Sequence, residues 1–269
     1  MPEWLWLAPL GLVIGAYGTI IGAGGGFILL PLLLLLYPRD SPESIASVSL
    51  AVVFVNALSG TIAYARLKRV DYASGLLLSA ATIPGAIVGA LTTALIPRRP
   101  FDFLVGAILI GISIFLMVRP SGPARDYRGR FRLNRRMVAP DGSVHAWSYN
   151  ALLGAGVSVV IGFLSSLLGI GGGFIHVPVM VNLLSFPVHV AAATSQFTLT
   201  VMSFVGSTVH LLAGTLTGSA PRIVPLAVGV AVGAQVGARL AQRMQGAWII
   251  RALVLALAFV GLRLIIKAL

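Results

Sequence analysis

The chain has no cysteine, and only 7 of its 269 residues are acidic. Without thiols there can be no disulfides, thiolate metal sites or cysteine nucleophiles. The acidic residues, Glu3, Asp40, Glu43, Asp71, Asp102, Asp126 and Asp141, stand in loops or near the ends of apolar runs. That leaves no carboxylate inside a run for a proton relay, a carboxylate-lined sodium site or an acid-based metal centre. Of the 4 histidines, His145 and His189 lie between runs or at a run's edge, and no HExxH-type spacing occurs. No metal, organic cofactor or catalytic apparatus is expected, so the chain does not read as an enzyme.

Charge is scarce, 10% of residues against about 25% in soluble domains. Hydrophobic residues make up 58%, in runs of eighteen or more without internal charge, which is the length of a membrane-spanning helix. Their leucine and alanine content does not suggest the alternating strands of a membrane barrel. The start, Met1-Pro2-Glu3-Trp4, has no basic residue ahead of its apolar run, so the first helix is expected to be retained rather than cleaved. The net charge of +12 sits almost wholly between the runs. It therefore reads as a cytoplasmic topology signal rather than a nucleic-acid surface.

What the chain does have is a repeated glycine cluster. Gly22 to Pro31 reads Gly-Ala-Gly-Gly-Gly-Phe-Ile-Leu-Leu-Pro and returns at Gly169 to Pro178 as Gly-Ile-Gly-Gly-Gly-Phe-Ile-His-Val-Pro, 147 residues on. Each glycine costs a helix roughly 1 kcal/mol against alanine, so both runs should break there. At membrane depth such a break is tolerated only where protein or a wet cavity surrounds it. Paired breaks in two halves point to a transporter's substrate site. The first run, Trp4–Tyr37, is 34 residues long. The break divides it into Trp4–Ile21 and a short piece, Phe27–Tyr37, either a half helix or a second crossing. Because proline suits a helix's first turn, this second helix is expected to start nearer Pro31 than Phe27.

The expected fold is an all-α polytopic membrane bundle built from two internal repeats, inverted by preference. Residues 1–118 form the first repeat, 119–146 a basic cytoplasmic linker, and 147–269 the second repeat, whose first run opens at Trp147. The linker carries Arg119, Arg125, Arg128, Arg130, Arg132, Arg135 and Arg136 against Asp126 and Asp141. Arg66–Arg69 lies two crossings from the linker and should share its face. The pairs Gly85/Gly89 and Gly233/Gly237 are small-xxx-small patterns suited to close helix packing. Gln235 between the latter pair reads as a helix bridge, and Tyr64 and His210 near run ends read as interfacial anchors.

Backbone amides at a helix start bind anions without a formal cation. The expected substrate-binding set is Gly24, Gly25, Gly26 and Phe27 at the first break and Gly171, Gly172, Gly173 and Phe174 at the second. Around them stand Ser49, Asn56, Thr194, Ser195 and Gln196, polar residues uncommon in spanning helices, and His176, which replaces Leu29 of the first repeat. For each hydroxyl, helix-to-helix hydrogen bonding competes with substrate contact as the explanation. His176 could assist the anion or titrate in a proton-coupled cycle. Phosphate-loop and dinucleotide readings fail, because no Gly-Lys-Ser/Thr follows the glycines and Phe27 and Phe174 stand at the third glycine position.

The doubled Gly-x-Gly-Gly-Gly-Phe followed by proline, with Thr194-Ser195 opening the next run, resembles the TauE/SafE sulfite exporter family over nearly the whole chain. The resemblance implies a multi-pass permease of the bacterial inner membrane that moves sulfite, sulfonates or related small sulfur-containing anions. The first repeat departs from the pattern in having Val48 where the second has Thr194. The resulting expectation is a secondary transporter working by alternating access. Its partners would be the lipid bilayer and a small anion, with proton coupling and a homo-oligomer as further options, and no nucleic acid. The alternatives are an anion channel, a non-transporting membrane subunit that binds a partner through the basic linker and, more distantly, a membrane enzyme.

Overall fold

In hydrocarbon a backbone must satisfy its own hydrogen bonds, and the apolar runs accordingly form helices. The computed structural model describes residues 4–118, 130–138 and 144–268. In chain order these form α1 (Trp4–Ile21), α2 (Gly26–Leu36), α3 (Pro42–Arg66), α4 (Tyr72–Thr93) and α5 (Arg98–Val118), then β1 (Arg132–Val138) and β2 (Val144–Asn150). There follow α6 (Ala151–Leu168), α7 (Gly173–Asn182), α8 (Val188–Leu212), α9 (Ala220–Ala241) and α10 (Gly246–Ala268). Five described helices, α3, α4, α6, α8 and α9, are long and apolar enough to cross a membrane. Their starts are capped as the local sequence dictates. Ser41 accepts from the Ser44 amide with Pro42 in the first turn, Asp71 accepts from the Ser74 amide, and Asn150 accepts from the Leu152 and Leu153 amides.

The helices pair across the two halves. Along α4 and α6, Leu78 lies by Gly154, Gly85 by Val159, and Gly89 by Phe163 and Leu167, so the two run in the same direction. Along α1 and α9, Gly229 lies by Ala8, Gly233 by Leu12 and Gly237 by Ala16, again in the same direction. The small-residue pairs thus serve close packing, because a Cβ at Gly85 would stand 2.0 Å from the Val159 carbonyl oxygen. By contrast α3 and α8 run antiparallel, with Gly60 near Gln196 and Leu50 near Gly206. The helices α5 and α10 are also antiparallel, Gly106 lying against Gly261 and Ser113 bonding to the Val254 carbonyl. Gln235 bridges helices as expected, donating from Nε2 to the Ser59 carbonyl at 2.8 Å.

Four expectations are corrected. The second helix starts at Gly26, not nearer Pro31, which stands inside it. Proline forfeits only one amide hydrogen bond there, and most of the 11-residue segment is buried. Tyr64 and His210 are not interfacial anchors. Both are 1% exposed, and the Tyr64 hydroxyl donates to the Thr19 carbonyl at 2.8 Å. The protein is helical in the main, but the linker contains an antiparallel hairpin that pairs Arg132 with Asn150 and Val138 with Val144. Trp147 consequently lies in β2, and the following helix begins only at Ala151. The segment Val144–Asn150 alternates His145, Trp147 and Tyr149 with smaller residues, the two-residue period of a strand. Its Trp147 and Tyr149 rings pack on Phe186 at 5.0 and 5.3 Å. Arg119, Arg125, Arg128, Asp126 and Asp141 lie outside the described residues.

The hairpin is tied to the loop that carries Arg66–Arg69, so these two basic segments share a face. Arg135 Nε donates to Asp71 at 3.0 Å, Asp71 also caps α4, and the Asp71 amide donates to Thr194 Oγ1 of α8 at 3.0 Å. The Tyr149 hydroxyl completes the group by donating to Ser74 Oγ at 2.8 Å. The hydrogen bond to Asp71 raises the Arg135 pKa above its ordinary value. On the opposite face Arg222 of α9 bonds Asp40, and Arg98 donates to the Leu34 carbonyl near the end of α2 at 2.6 Å.

Two stability outcomes follow from this packing. Gly85→Leu should lower the thermal midpoint of the detergent-purified protein by the equivalent of at least about 1–3 kcal/mol, the cost of overpacking. Gly156→Ala, with nothing within 4 Å of the new methyl, should leave that midpoint unchanged or raise it. Arg135→Gln leaves Asp71, 2% exposed, as a buried carboxylate without its cation. About 3 kcal/mol of destabilisation is expected, partly relieved by Asn at position 71.

Candidate functional site

Each break is a chain reversal. In a continuous helix, residues eleven apart lie about 16 Å from one another. Here Gly25 packs against Ile14, and Gly172 packs against Ile161 and Ser165. The returning segments, α2 and α7, have 11 and 10 residues, about 15 Å each and half of a hydrocarbon core. They are half helices. The reversals depend on left-handed backbone, with φ of 73° at Gly24 and 76° at Gly171, where a Cβ is strained.

The two reversals meet in the middle of the molecule. A Cβ on Gly26 would stand 1.8 Å from the Ile170 carbonyl oxygen, and one on Gly173 would stand 2.5 Å from that of Gly22. The long antiparallel pair clamps both from the sides, Val53 of α3 and Leu199 of α8 each touching Gly24 and Gly171. Phe27 and Phe174, at equivalent positions, stack across the contact with centroids 6.5 Å apart. In this conformation the breaks are closed on each other.

Among the described residues, the amides of Gly25, Gly26 and Phe27 and those of Gly171 through Phe174 have no hydrogen-bond acceptor. By contrast the terminal carbonyls of the preceding helices are capped. The Ala23 amide donates to the Gly18 carbonyl at 2.8 Å and the Ile170 amide to the Ser165 carbonyl at 3.2 Å. The breaks therefore present mainly positive ends of peptide dipoles.

The polar residues divide into bonded and unbonded. Ser195 is engaged, its hydroxyl donating to the Gly22 carbonyl at 3.0 Å. Thr194 is engaged as well, at the α4 cap beside Asp71 rather than at the breaks. Asn56 accepts from Thr19 Oγ1 at 3.3 Å through Oδ1, while its Nδ2 is free. Gln196, Ser49 and Asn56 are all fully buried, and the Gln196 amide group and the Ser49 hydroxyl have no partner. Gly60 makes room where Gln196 and Thr19 meet, each 3.2 Å from where its Cβ would be. His176 turns back along α6, its Nε2 lying 3.2 Å from Ser158 Oγ with Nδ1 unpartnered.

Sequence reasoning missed Thr19, Ser165 and Ser166. The Ser165 and Ser166 hydroxyls are buried and unpartnered, and they stand 2.7 and 2.9 Å from where side chains at Gly172 and Gly206 would begin. Their position just before the second glycine cluster was a usable signal, because a chain reversal brings flanking residues back to the break.

The break pair thus combines free amides, neutral unpaired donors and a bundle of apolar helices, and the sequence pattern described as sulfite exporter TauE/SafE matches residues 7–264. The chain belongs to the TauE/SafE sulfite exporter family. A probable membrane transporter protein of Bacillus subtilis (strain 168), YunE, is 36% identical over 215 residues, which is 77% of this chain and 78% of the relative. Probable membrane transporter proteins of Methanocaldococcus jannaschii and Xylella fastidiosa (strain Temecula1) are 25% and 27% identical. They cover 79% and 69% of this chain, and 76% and 65% of their own lengths. No solved structure gives a significant match. As a TauE/SafE member with these helices, the protein is a multi-pass membrane transporter.

Unpaired buried donors cost stability and are kept where function uses them. Gln196→Leu should therefore raise the thermal midpoint by about 1 kcal/mol equivalent and reduce anion uptake in proteoliposomes at least tenfold. A drop in both would make Gln196 a structural residue.

Proposed function

We propose that this protein is a secondary transporter for a small sulfur-containing anion such as sulfite or an organosulfonate, bound between the two glycine breaks and carried by alternating access. The observation that carries this reading is the meeting of two half-helix starts, with free amides, among buried neutral donors. Such an array attracts an oxoanion through dipoles, and it releases the anion more readily than a lysine or arginine would. The substrate class comes from the family resemblance.

The two halves are inverted repeats in this reading. In support, α1 starts on the face that carries Arg222 and Asp40, whereas its counterpart α6 starts on the face that carries Asp71 and Arg135. Equivalent residues also make reciprocal contacts, Gly22 with Ala192 and Gly169 with Ala46. Inversion supplies two ways of packing the same parts that are related by a pseudo-two-fold axis in the membrane plane, which is the basis of alternating access. The hairpin face, with the greater basic charge, is the cytoplasmic one. Closure of the breaks behind Val53 and Leu199 favours a carrier over an open channel. The site uses Gly24–Phe27, Gly171–Phe174, Ser49, Asn56, Ser195 and Gln196. Thr194 acts through the Asp71 cap, and His176, with its Nδ1 unpartnered, completes the set beside the second break.

Gly25→Leu and Gly172→Leu test the reading. Leucine at Gly25 enters a left-handed position, φ 75°, and at Gly172 its Cβ would crowd Ser165 Oγ at 2.7 Å and Ile161 Cγ2 at 2.9 Å. Both variants should insert and purify, yet lose saturable, trans-stimulated counterflow of sulfite or methanesulfonate in proteoliposomes. Normal counterflow by both would remove the central site.

A further inference from the structure

We infer that the carried species is a singly charged oxoanion, so that sulfite crosses in its hydrogensulfite form and a sulfonate crosses at any pH, while sulfate and doubly charged sulfite are excluded. This rests on the proposed transport reading and deepens it. The argument is electrostatic. Moving an ion out of water costs free energy that rises with the square of its charge, so a dianion costs about four times as much as a monoanion of equal size.

Little at the centre offsets this. Each half-helix start offers roughly half a positive elementary charge. Two starts meet, at Gly26 and Gly173, and together they supply at most about one unit. The remaining donors, Gln196 Nε2, Asn56 Nδ2 and the Ser49, Ser165 and Ser166 hydroxyls, are neutral and unpartnered. Of the described arginines that approach from the faces, Arg135 is committed to Asp71 and Arg222 to Asp40, while Arg69, whose buried Nη1 has no partner, stands in the loop after α3 and not at the glycines. One negative charge is matched by this set, whereas a second would lie buried without a counter-charge.

Titratable side chains on the helices packed around the breaks are Tyr17 on α1, Glu43, Tyr64 and Arg66 on α3, His176 on α7, and His189 and His210 on α8, with Glu43, Arg66 and His189 in the terminal turns of their helices. Tyr64 is bonded to the Thr19 carbonyl and His210 lies beside Thr215, away from the glycines. His176 is the one whose protonation could add a charge, so it is tested directly.

The experiment measures initial flux of methanesulfonate, sulfite and sulfate by the whole protein in proteoliposomes, with leak through protein-free liposomes subtracted. The pH is varied equally on both sides, across the range where sulfite loses its second proton. Methanesulfonate flux should stay constant within about twofold. At subsaturating total concentration, sulfite flux should fall as pH rises, approaching about tenfold per unit once the dianion dominates. Sulfate should neither move nor compete, and His176→Gln should keep the shape of the sulfite profile whatever its absolute rate. Sulfite flux that rises with pH, competition by sulfate, or a fall abolished by His176→Gln would each overturn the inference while leaving transport intact. No flux of any of the three would instead remove the transport reading beneath it.

Discussion

A backbone that stops being helical inside a membrane must find partners for the groups it frees, and lipid supplies none. This protein meets that constraint by pushing its two irregular segments into each other at the centre of the bundle. Their carbonyls are capped by nearby amides and by Ser195, while several amides are left free. Where the reversals meet, α1 packs beside α9 and α6 beside α4, contacts made close by Gly85, Gly89, Gly233 and Gly237.

The crossing of the two reversals also explains the uneven distribution of polar groups. Near the first break stand the carboxamides of Asn56 and Gln196. Near the second stand serine hydroxyls and His176, with Met202 where the first half has Asn56. Both breaks turn on left-handed glycines, but the side chains around them differ. The faces are closed differently too. Asp40 and Arg222 join the halves directly, whereas Asp71 reaches its cation through the inter-repeat hairpin.

Much of this was legible from the residues alone. The helical class, both breaks, the sharing of a face by the two basic segments and the role of the small-residue pairs follow from composition and spacing. The hairpin was hidden because a run of arginines reads as a solvated linker, while its strand partner, with Trp147 and Tyr149, reads as the start of an apolar helix. Tyr64 was misplaced for a related reason. Aromatics near run ends suit the interface in general, and only its contact with Thr19 identifies it as core.

Sequence by itself determined that the chain lives in a membrane, that its helices break twice at equivalent glycines, and that no formal charge stands at those breaks. These are properties of composition and local backbone preference, which need no knowledge of neighbours. Tertiary structure decided that the breaks turn the chain back and meet, that the unpartnered Ser165 and Ser166 hydroxyls lie just before the second one, and that Thr194 accepts from the Asp71 amide. Those outcomes depend on which surfaces touch across more than a hundred residues of chain. Contact at that separation is set by helix packing, which local sequence spacing does not encode.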